Sequence, residues 1–129
     1  MAYLLDTHTV LWALSSDPRL SKRAAQSYES AEKGHFSVVT LWEIGIKLGL
    51  RRPDFELSLG WEQQIPNELT RLGFERLDIE AKDCLQVSHL PQYHKDPFDR
   101  MLIAQATRRN LTIISKDEKF DAYSVARIW

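Results

Sequence analysis

Residues 95–106, Lys-Asp-Pro-Phe-Asp-Arg-Met-Leu-Ile-Ala-Gln-Ala, are the stretch around which this chain is organised. Asp96 is a favourable N-cap and Pro97 suits the first helical position, so we predict a helix that runs to about Arg109. The following residues are so apolar that we expect the helix to be buried on most of its surface. Asp99, in the first turn, then lies at the edge of the core. It is either a partner of the helix dipole or part of a site.

The composition is that of one ordinary globular domain covering residues 1–129. The chain is 43% hydrophobic and 27% charged, with a net charge of −1. A near-neutral charge gives no overall attraction to nucleic acid or membrane, so any such binding must come from local patches. The single Cys84 excludes an internal disulfide and a cysteine-based zinc site, and we expect it to be a small buried residue in a cytoplasmic protein. We see no signal peptide and no membrane-spanning run.

Short apolar runs alternate with helical patterns along the whole chain. We predict strands at 2–5, 36–39, 74–77, 111–114 and 124–128, and helices at 7–14, 22–33, 40–50, 61–72, 79–87 and 97–109. Gly34 is expected to end the second helix and Pro66 to kink or split the fourth. This alternation indicates an α/β fold with a central, mostly parallel sheet of about five strands, flanked by helices on both faces.

Acidic side chains follow several of the predicted strands. In a parallel sheet, sites form outside the carboxyl ends of the strands. Asp6, Asp117 and the turn that carries Glu43 all come directly after strands, and Asp99 can join them from the start of its helix. Four converging carboxylates would repel one another without a cation, and such hard oxygen ligands suit Mg²⁺ or Mn²⁺. The usual chemistry of such a site is hydrolysis of phosphodiesters.

Each acid also has a purely structural interpretation. Glu43 lies three residues after Thr40, which is the spacing of a capping box. Asp99 would favour the helix dipole in any case, and Asp117 lies in an ordinary turn sequence. Asp6 is the hardest to explain structurally, because it directly follows a buried apolar strand and has no evident need to be acidic.

Basic and imidazole side chains near the acids are weaker candidates. His89 and His94 fall in a predicted polar loop at 88–95, and we expect both to be solvated. Four basic residues lie near the acids in sequence and could hold a phosphate backbone, although solvation at the surface is their default interpretation. They are Lys47, Lys95, Arg100 and Lys116.

Four segments share a combined signature. They are residues 4–9 (Leu-Leu-Asp-Thr-His-Thr), 37–44 (Ser-Val-Val-Thr-Leu-Trp-Glu-Ile), 96–106 and 113–117 (Ile-Ile-Ser-Lys-Asp). Taken together, in this order and at this spacing, they resemble PIN-domain nucleases, and in particular the VapC-like toxins of bacterial and archaeal toxin–antitoxin modules. One such motif alone would be weak, but the four together are strong and cover nearly the whole chain.

The resemblance implies a compact α/β/α domain and an endoribonuclease that depends on Mg²⁺ or Mn²⁺. It implies that four acids surround the metal, namely Asp6, Glu43, Asp99 and Asp117. Thr7 and Ser115 occupy supporting positions. Asp96 stands at a position that is acidic in this branch of the family, so its role stays open between N-cap and ligand.

The resemblance also implies partners that composition and periodicity do not show. VapC-like toxins cleave structured RNA such as tRNA, form homodimers and are silenced by a cognate VapB-like antitoxin. Two other functions stay open. One is a PIN-like nuclease in RNA maturation or decay, and the other is a catalytically silent module that binds RNA or protein. The segment 53–70 carries no motif of the family.

Overall fold

The computed structural model describes residues 1–30 and 33–129, and within these ranges five strands form one parallel sheet. The central strand pairs with β2 on one side and β4 on the other, in the order β3-β2-β1-β4-β5. The predicted α/β class and parallel sheet are therefore confirmed. The strands are β1 (Ala2–Leu5), β2 (Lys33–Ser37), β3 (Glu75–Leu77), β4 (Thr112–Ile114) and β5 (Arg127–Ile128).

Helices cover both faces of the sheet. Leu4 and Leu5 of β1 are both fully buried and belong to different hydrophobic clusters. Leu5 packs with Ile44, whereas Leu4 packs with Leu102, so the strand reads as a continuous apolar run because each face has its own core. The helices are α1 (Thr7–Ser15), α2 (Lys22–Glu29), α3 (Val38–Gly49), α4 (Trp61–Arg71), α5 (Ala81–His89) and α6 (Pro97–Arg109), with a 3₁₀ helix at Glu118–Ala122.

The strand order places a crevice at the carboxyl ends of β1 and β4. From β1 the chain builds outward through β2 and β3, whereas β4 and β5 lie on the other side of β1. The backbone N–H of Asp6 donates to the carbonyl of Ile114 at 3.2 Å, so the two strand ends are direct neighbours. Ligands bind at such a reversal of strand order in open α/β sheets.

The predicted end of the second helix is wrong. Helix α2 ends at Glu29, and Lys33 and Gly34 belong to β2, while residues 31 and 32 lie outside the described part of the chain. Gly34 pairs with Tyr3 of β1, and a Cβ added there would lie 2.6 Å from the Phe74 ring. The glycine therefore permits a close approach between strand and ring, and does not terminate a helix.

The predicted boundary between strand and helix at 39–40 is also wrong. Strand β2 ends at Ser37, whose hydroxyl accepts from the N–H of Val39 at 3.1 Å and so caps α3. Val38 and Val39 look like strand residues, but the cap starts the helix at Val38. Thr40 thus lies inside α3, and the capping-box interpretation of Glu43 is wrong.

Smaller differences have local causes. Helix α4 continues across Pro66, because the buried Ile65 and Leu69 hold it against the core, so it is not split in two. Cys84 is exposed, not buried, because α5 turns Asp83 and not Cys84 toward α6. The last strand is only Arg127–Ile128. Among the described residues, no helix has both the length and the apolar character to cross a membrane.

Candidate active site

Asp6 stands where β1 ends and α1 begins, and three hydrogen bonds fix its carboxylate. Its Oδ1 accepts from the N–H of Thr9 at 3.0 Å and from the Thr9 hydroxyl at 2.6 Å, so Asp6 is the N-cap of α1. Its Oδ2 accepts from the Ser115 hydroxyl at 2.5 Å. Asp6 therefore has a structural role that sequence analysis missed. Burial raises the pKa of Asp6, although the hydrogen bonds from Ser115 and Thr9 oppose the rise.

Ser115 links the ends of the two adjacent strands. It is fully buried, and while its hydroxyl donates to Asp6 it accepts from the N–H of Asp117 at 3.0 Å. Asp117 in turn caps the 3₁₀ helix, with its Oδ1 accepting from the N–H of Lys119 at 2.9 Å. One serine thereby sets the separation between the loops that carry Asp6 and Asp117.

Glu43 points inward from the second turn of α3. Its Oε1 accepts from the hydroxyl of Thr7 at 2.7 Å, and its Oε2 lies 2.8 Å from Nζ of Lys47. Because the Thr7 hydrogen is used on Glu43, the contact of 3.2 Å between the Thr7 and Thr40 hydroxyls has Thr40 as the donor. Glu43 is buried, so this carboxylate is held by α1 and α3 together.

Asp96 and Asp99 occupy the start of α6, as expected. Asp96 is the N-cap, and its Oδ1 accepts from the N–H groups of Phe98 at 2.8 Å and Asp99 at 3.1 Å. Asp99 is half-buried, and its Oδ2 lies 2.8 Å from Nε2 of His94. The helix boundaries Pro97–Arg109 match the prediction, and Asn110 forms the C-cap in the left-handed conformation.

The pKa of Asp99 reflects how closely the acids approach one another. Burial, and after it the negative charges of the neighbouring carboxylates, together raise the pKa of Asp99 to about 8. Those neighbours are Asp96, Asp6, Glu43 and Asp117. The four acids proposed from the sequence therefore converge, and Asp96 stands beside them.

A cavity of about 210 Å³ lies where these side chains meet. Side chains from the first turns of α1 and α6, from α3 and from the segment after β4 reach this cavity. Cationic and imidazole groups at its margin accompany the acids. The residues that line it are Asp6, Thr7, His8, Glu43, Lys47, His94, Asp96, Asp99, Asp117 and Lys119.

Comparison with known proteins identifies the family of the chain. The model of the PIN domain family matches residues 3–126. This chain belongs to the PIN domain family. The chain is 25% identical over 121 residues to Ribonuclease VapC22 of Mycobacterium tuberculosis (strain ATCC 25618 / H37Rv), a match that spans 93% of this chain and 90% of that protein. The predicted family is thus confirmed.

Solved structures share the fold of this PIN domain. VapBC2 from Rickettsia felis, solved with a DNA fragment from its promoter, matches with a TM-score of 0.73 at 17% identity over 99% of this chain and 98% of that chain. FitAcB from Neisseria gonorrhoeae matches with a TM-score of 0.67 at 21% identity over 100% and 97%. At these identities the likeness shows the fold alone.

The donor set of this PIN domain fits a divalent cation. Carboxylate oxygens are the ligands that Mg²⁺ and Mn²⁺ prefer, and five carboxylates line this cavity, four of which contribute to raising the pKa of the fifth, Asp99. Among the described residues, one ligand atom each from His94, Asp99 and Asp117 can lie within 4.8 Å of the others. A bound cation would offset the repulsion among these carboxylates.

Two basic candidates do not behave as the sequence suggested. Arg100 is buried, and its guanidinium donates to the carbonyl of Pro91 at 2.8 Å and to the Tyr123 hydroxyl at 3.1 Å, so it does not offer a surface for a phosphate backbone. Lys95 is exposed but lies beside Trp42 in a different cavity. Lys47 and Lys116 stay near the acids.

His94 is the site residue that sequence analysis missed. We expected it to be solvated, but it is buried and contacts Asp99. The sequence feature that could have indicated this is the position of His94 two residues before the N-cap Asp96, where the loop leads into α6. Lys119, two residues after Asp117, also lines the cavity and was not singled out.

Proposed function

We propose that this PIN domain is a metal-dependent endoribonuclease and the toxin of a VapBC-type pair. The observation that carries the proposal is the convergence of Asp6, Glu43, Asp99 and Asp117 on one small cavity at the reversal of strand order. The names of its relatives support it. One is a ribonuclease, and two solved neighbours are a toxin–antitoxin complex and a member of the VapBC family of toxin–antitoxin systems.

In this proposal the four acids divide the work of holding the cation. Asp6 and Asp99 would bind it directly, while Glu43 and Asp117 would complete its shell or orient the attacking water. When bound, Mg²⁺ or Mn²⁺ supplies an activated water and stabilises the charge that develops on the scissile phosphate.

The surrounding hydroxyls keep these carboxylates in place before substrate arrives. Ser115 and Thr9 hold both oxygens of Asp6, and Thr7 holds one oxygen of Glu43. A carboxylate that is already oriented need not reorganise when the reaction begins. These are the supporting roles that we assign to Thr7 and Ser115.

RNA is proposed to enter past the basic margin of the cavity. Lys119 and Lys47 line it, and Lys116 lines an adjoining cavity of about 220 Å³ together with His8 and Trp12. His8 is exposed and stacks on Trp12 with ring centroids 5.5 Å apart. Ammonium groups next to an exposed aromatic ring suit a phosphate backbone and its bases.

The partners proposed are an antitoxin and a second copy of the chain. A VapB-like antitoxin would silence the site by inserting a basic side chain, since an arginine can pair a carboxylate through two hydrogen bonds. Trp42 and Ile46 of α3, with its C-cap Leu50, form an apolar stripe at helical spacing, and all three are exposed. We propose this stripe as the homodimer surface.

Cleavage assays on purified protein test the nuclease activity. We expect wild-type protein to cleave tRNA or total RNA with Mg²⁺ or Mn²⁺ and to be inactive in EDTA. Asp6→Asn should be inactive, whereas Asp78→Asn, which changes an exposed carboxylate paired with Arg76, is the matched control and should stay active. Sequencing of RNA ends after induction of wild type and Asp6→Asn would identify the target.

Two results would point to the other functions. Protein that binds RNA with metal but cleaves none would favour a silent binding module. Protein that cleaves RNA but neither arrests growth on induction nor is inhibited by the product of an adjacent gene would favour a role in RNA maturation or decay.

A further inference from the structure

The segment between α5 and α6, residues 90–96, is clamped from the core side. The hydroxyl of Tyr123 donates to the carbonyl of Pro91 at 2.8 Å, and it accepts from the backbone N–H of His94 at 2.9 Å and from Arg100 at 3.1 Å. Arg100 also donates to the carbonyl of Val87 at 3.2 Å. Arg100 and Tyr123 are both buried, so the clamp is shielded from water.

The clamp places one imidazole with a defined orientation. The side chain of His94 is 9% exposed, and its Nε2 lies 2.8 Å from Oδ2 of Asp99. The backbone N–H of Asp96 points at Nδ1 at 3.4 Å. Because an N–H can only donate, Nδ1 is the acceptor, and the hydrogen on Nε2 is free to donate to Asp99. Phe120 lies edge-on to the ring at 6.4 Å.

We propose that His94 is a positioning residue of the metal centre: its Nε2–H holds one oxygen of Asp99, so that the other oxygen would be free to bind the cation. The inference rests on the proposed metal-dependent function. Without this bond the Asp99 carboxylate could rotate away from Asp6, Glu43 and Asp117, whose charges repel it. Side chains that orient a metal ligand typically contribute 10-fold to 100-fold to metal affinity.

The same hydrogen-bond network explains why Arg100 is buried. Arg100 follows Asp99 directly on α6, and its guanidinium holds the carbonyls of the loop that carries His94. The ligand and the residue that orients it are therefore fixed to one helix turn. The described contacts of this buried arginine are carbonyls and a hydroxyl, so we infer that it holds the loop that positions His94 against Asp99.

Metal titrations on the full chain test the role of His94. His94→Phe keeps a ring of similar size but loses the donor, and His94→Gln keeps an N–H at a similar reach. We expect His94→Phe to bind Mn²⁺ and Mg²⁺ 10-fold to 100-fold more weakly by calorimetry, and His94→Gln to recover most of the loss. His89→Phe, an exposed histidine on α5, is the matched control and should bind both ions as wild type does.

Four results would overturn or redirect the inference. A folded His94→Phe that binds both ions with wild-type affinity would overturn it. A nitrogen coupling in the pulsed EPR spectrum of bound Mn²⁺ that vanishes in His94→Phe would show that His94 is itself a ligand, which also overturns it. If His94→Phe does not fold, Tyr123→Phe must weaken metal binding several-fold for the inference to stand. Wild-type protein that binds neither ion would instead overturn the proposed metal-dependent function.

Discussion

At the scale of single residues, Asp96 and Asp99 separate a cap from a ligand. Asparagine caps a helix about as well as aspartate, so Asp96→Asn should keep near-normal stability and appreciable activity, while Asp96→Ala should lose roughly 0.5–2 kcal/mol. The pKa of Asp99 in the folded protein is about 8, so folding at neutral pH must place a proton on this carboxylate, and Asp99→Asn removes that cost. It should melt at a higher temperature than wild type in EDTA, lose the rise in melting temperature that Mg²⁺ or Mn²⁺ gives wild type, and cleave no RNA.

Thermal melts with and without metal, together with a cleavage assay, distinguish these variants. If Asp96→Asn were inactive and Asp99→Asn active, the ligand would lie at the N-cap and our assignment would be reversed. If neither ion changed the melting temperature of wild type, and cleavage continued in EDTA, the proposed metal dependence would be contradicted.

Single residues also show what a sequence can reveal about this site. Asp6 and Asp117 were found because each follows a strand, and strand ends meet by topology alone. His94 and Arg100 were misjudged because their places depend on the Tyr123 hydroxyl, which comes from 29 positions beyond His94 in the chain. Such a contact between a loop and a distant turn leaves no periodic pattern. Burial of polar groups in a loop is therefore the feature of this site that the sequence pattern does not predict.

At the scale of elements, α5 and α6 are joined through a buried carboxylate. Asp83 is fully buried, and both Arg108 and Arg109 of α6 donate to it, at 2.5 and 2.8 Å. Burial would raise the pKa of Asp83, but hydrogen bonds from Arg109, the Glu80 backbone and Arg108 outweigh it and hold this pKa at about 2. The contact joins the first turn of α5 to the last turn of α6, at the helix ends opposite the loop that carries His94.

Asp83→Asn should therefore destabilise the domain by about 1–3 kcal/mol at pH 7, because the two guanidinium groups lose a charged acceptor. The folded pKa of about 2 lies below the ordinary 3.8, so this stabilisation is complete above pH 4 and is lost as the pH falls toward 2. Urea unfolding at pH 7 and at pH 3 should show the gap between wild type and variant closing. Asp121→Asn, which breaks an exposed pair with Arg127, is the control and should change little.

The boundary between β2 and α3 shows why elements were only partly predictable. Both ends of α6 were placed correctly, because a cap, a proline and an apolar face agreed there. At Val38 and Val39 the β-branched side chains favoured a strand, and the Ser37 cap prevailed. At Gly34 a helix terminator and a strand glycine look alike in sequence, and the Phe74 ring decides between them.

Gly34→Ala tests that last assignment. Its Cβ would lie 2.6 and 2.7 Å from two Phe74 ring atoms, so we expect a loss of about 1–3 kcal/mol by chemical denaturation. The double variant with Phe74→Leu should lose less stability than the sum of the two single losses, because the two sites are in direct contact. A fully additive pair would mean that the ring does not impose the glycine.

At the scale of the whole molecule, one helix faces both the site and the solvent. Glu43 of α3 points into the acid cavity, while Trp42, Ile46 and Leu50 line the outer face of the same helix and are 52%, 43% and 55% exposed. If this stripe joins two copies, the packing of α3 that positions Glu43 is reinforced from outside. Assembly and catalysis would then depend on the same element.

Light scattering at micromolar concentration tests this arrangement. Wild-type protein should have the mass of two chains. Ile46→Glu places a charge in the middle of the stripe and should reduce the mass to that of one chain, without touching the acids. Leu59→Glu is the matched control, because Leu59 is 97% exposed and lies off the stripe, so it should leave the mass at two chains. A wild-type mass of one chain would contradict the dimer. Wild-type and Ile46→Glu masses that agree, with antitoxin binding lost only in the variant, would assign the stripe to the antitoxin instead.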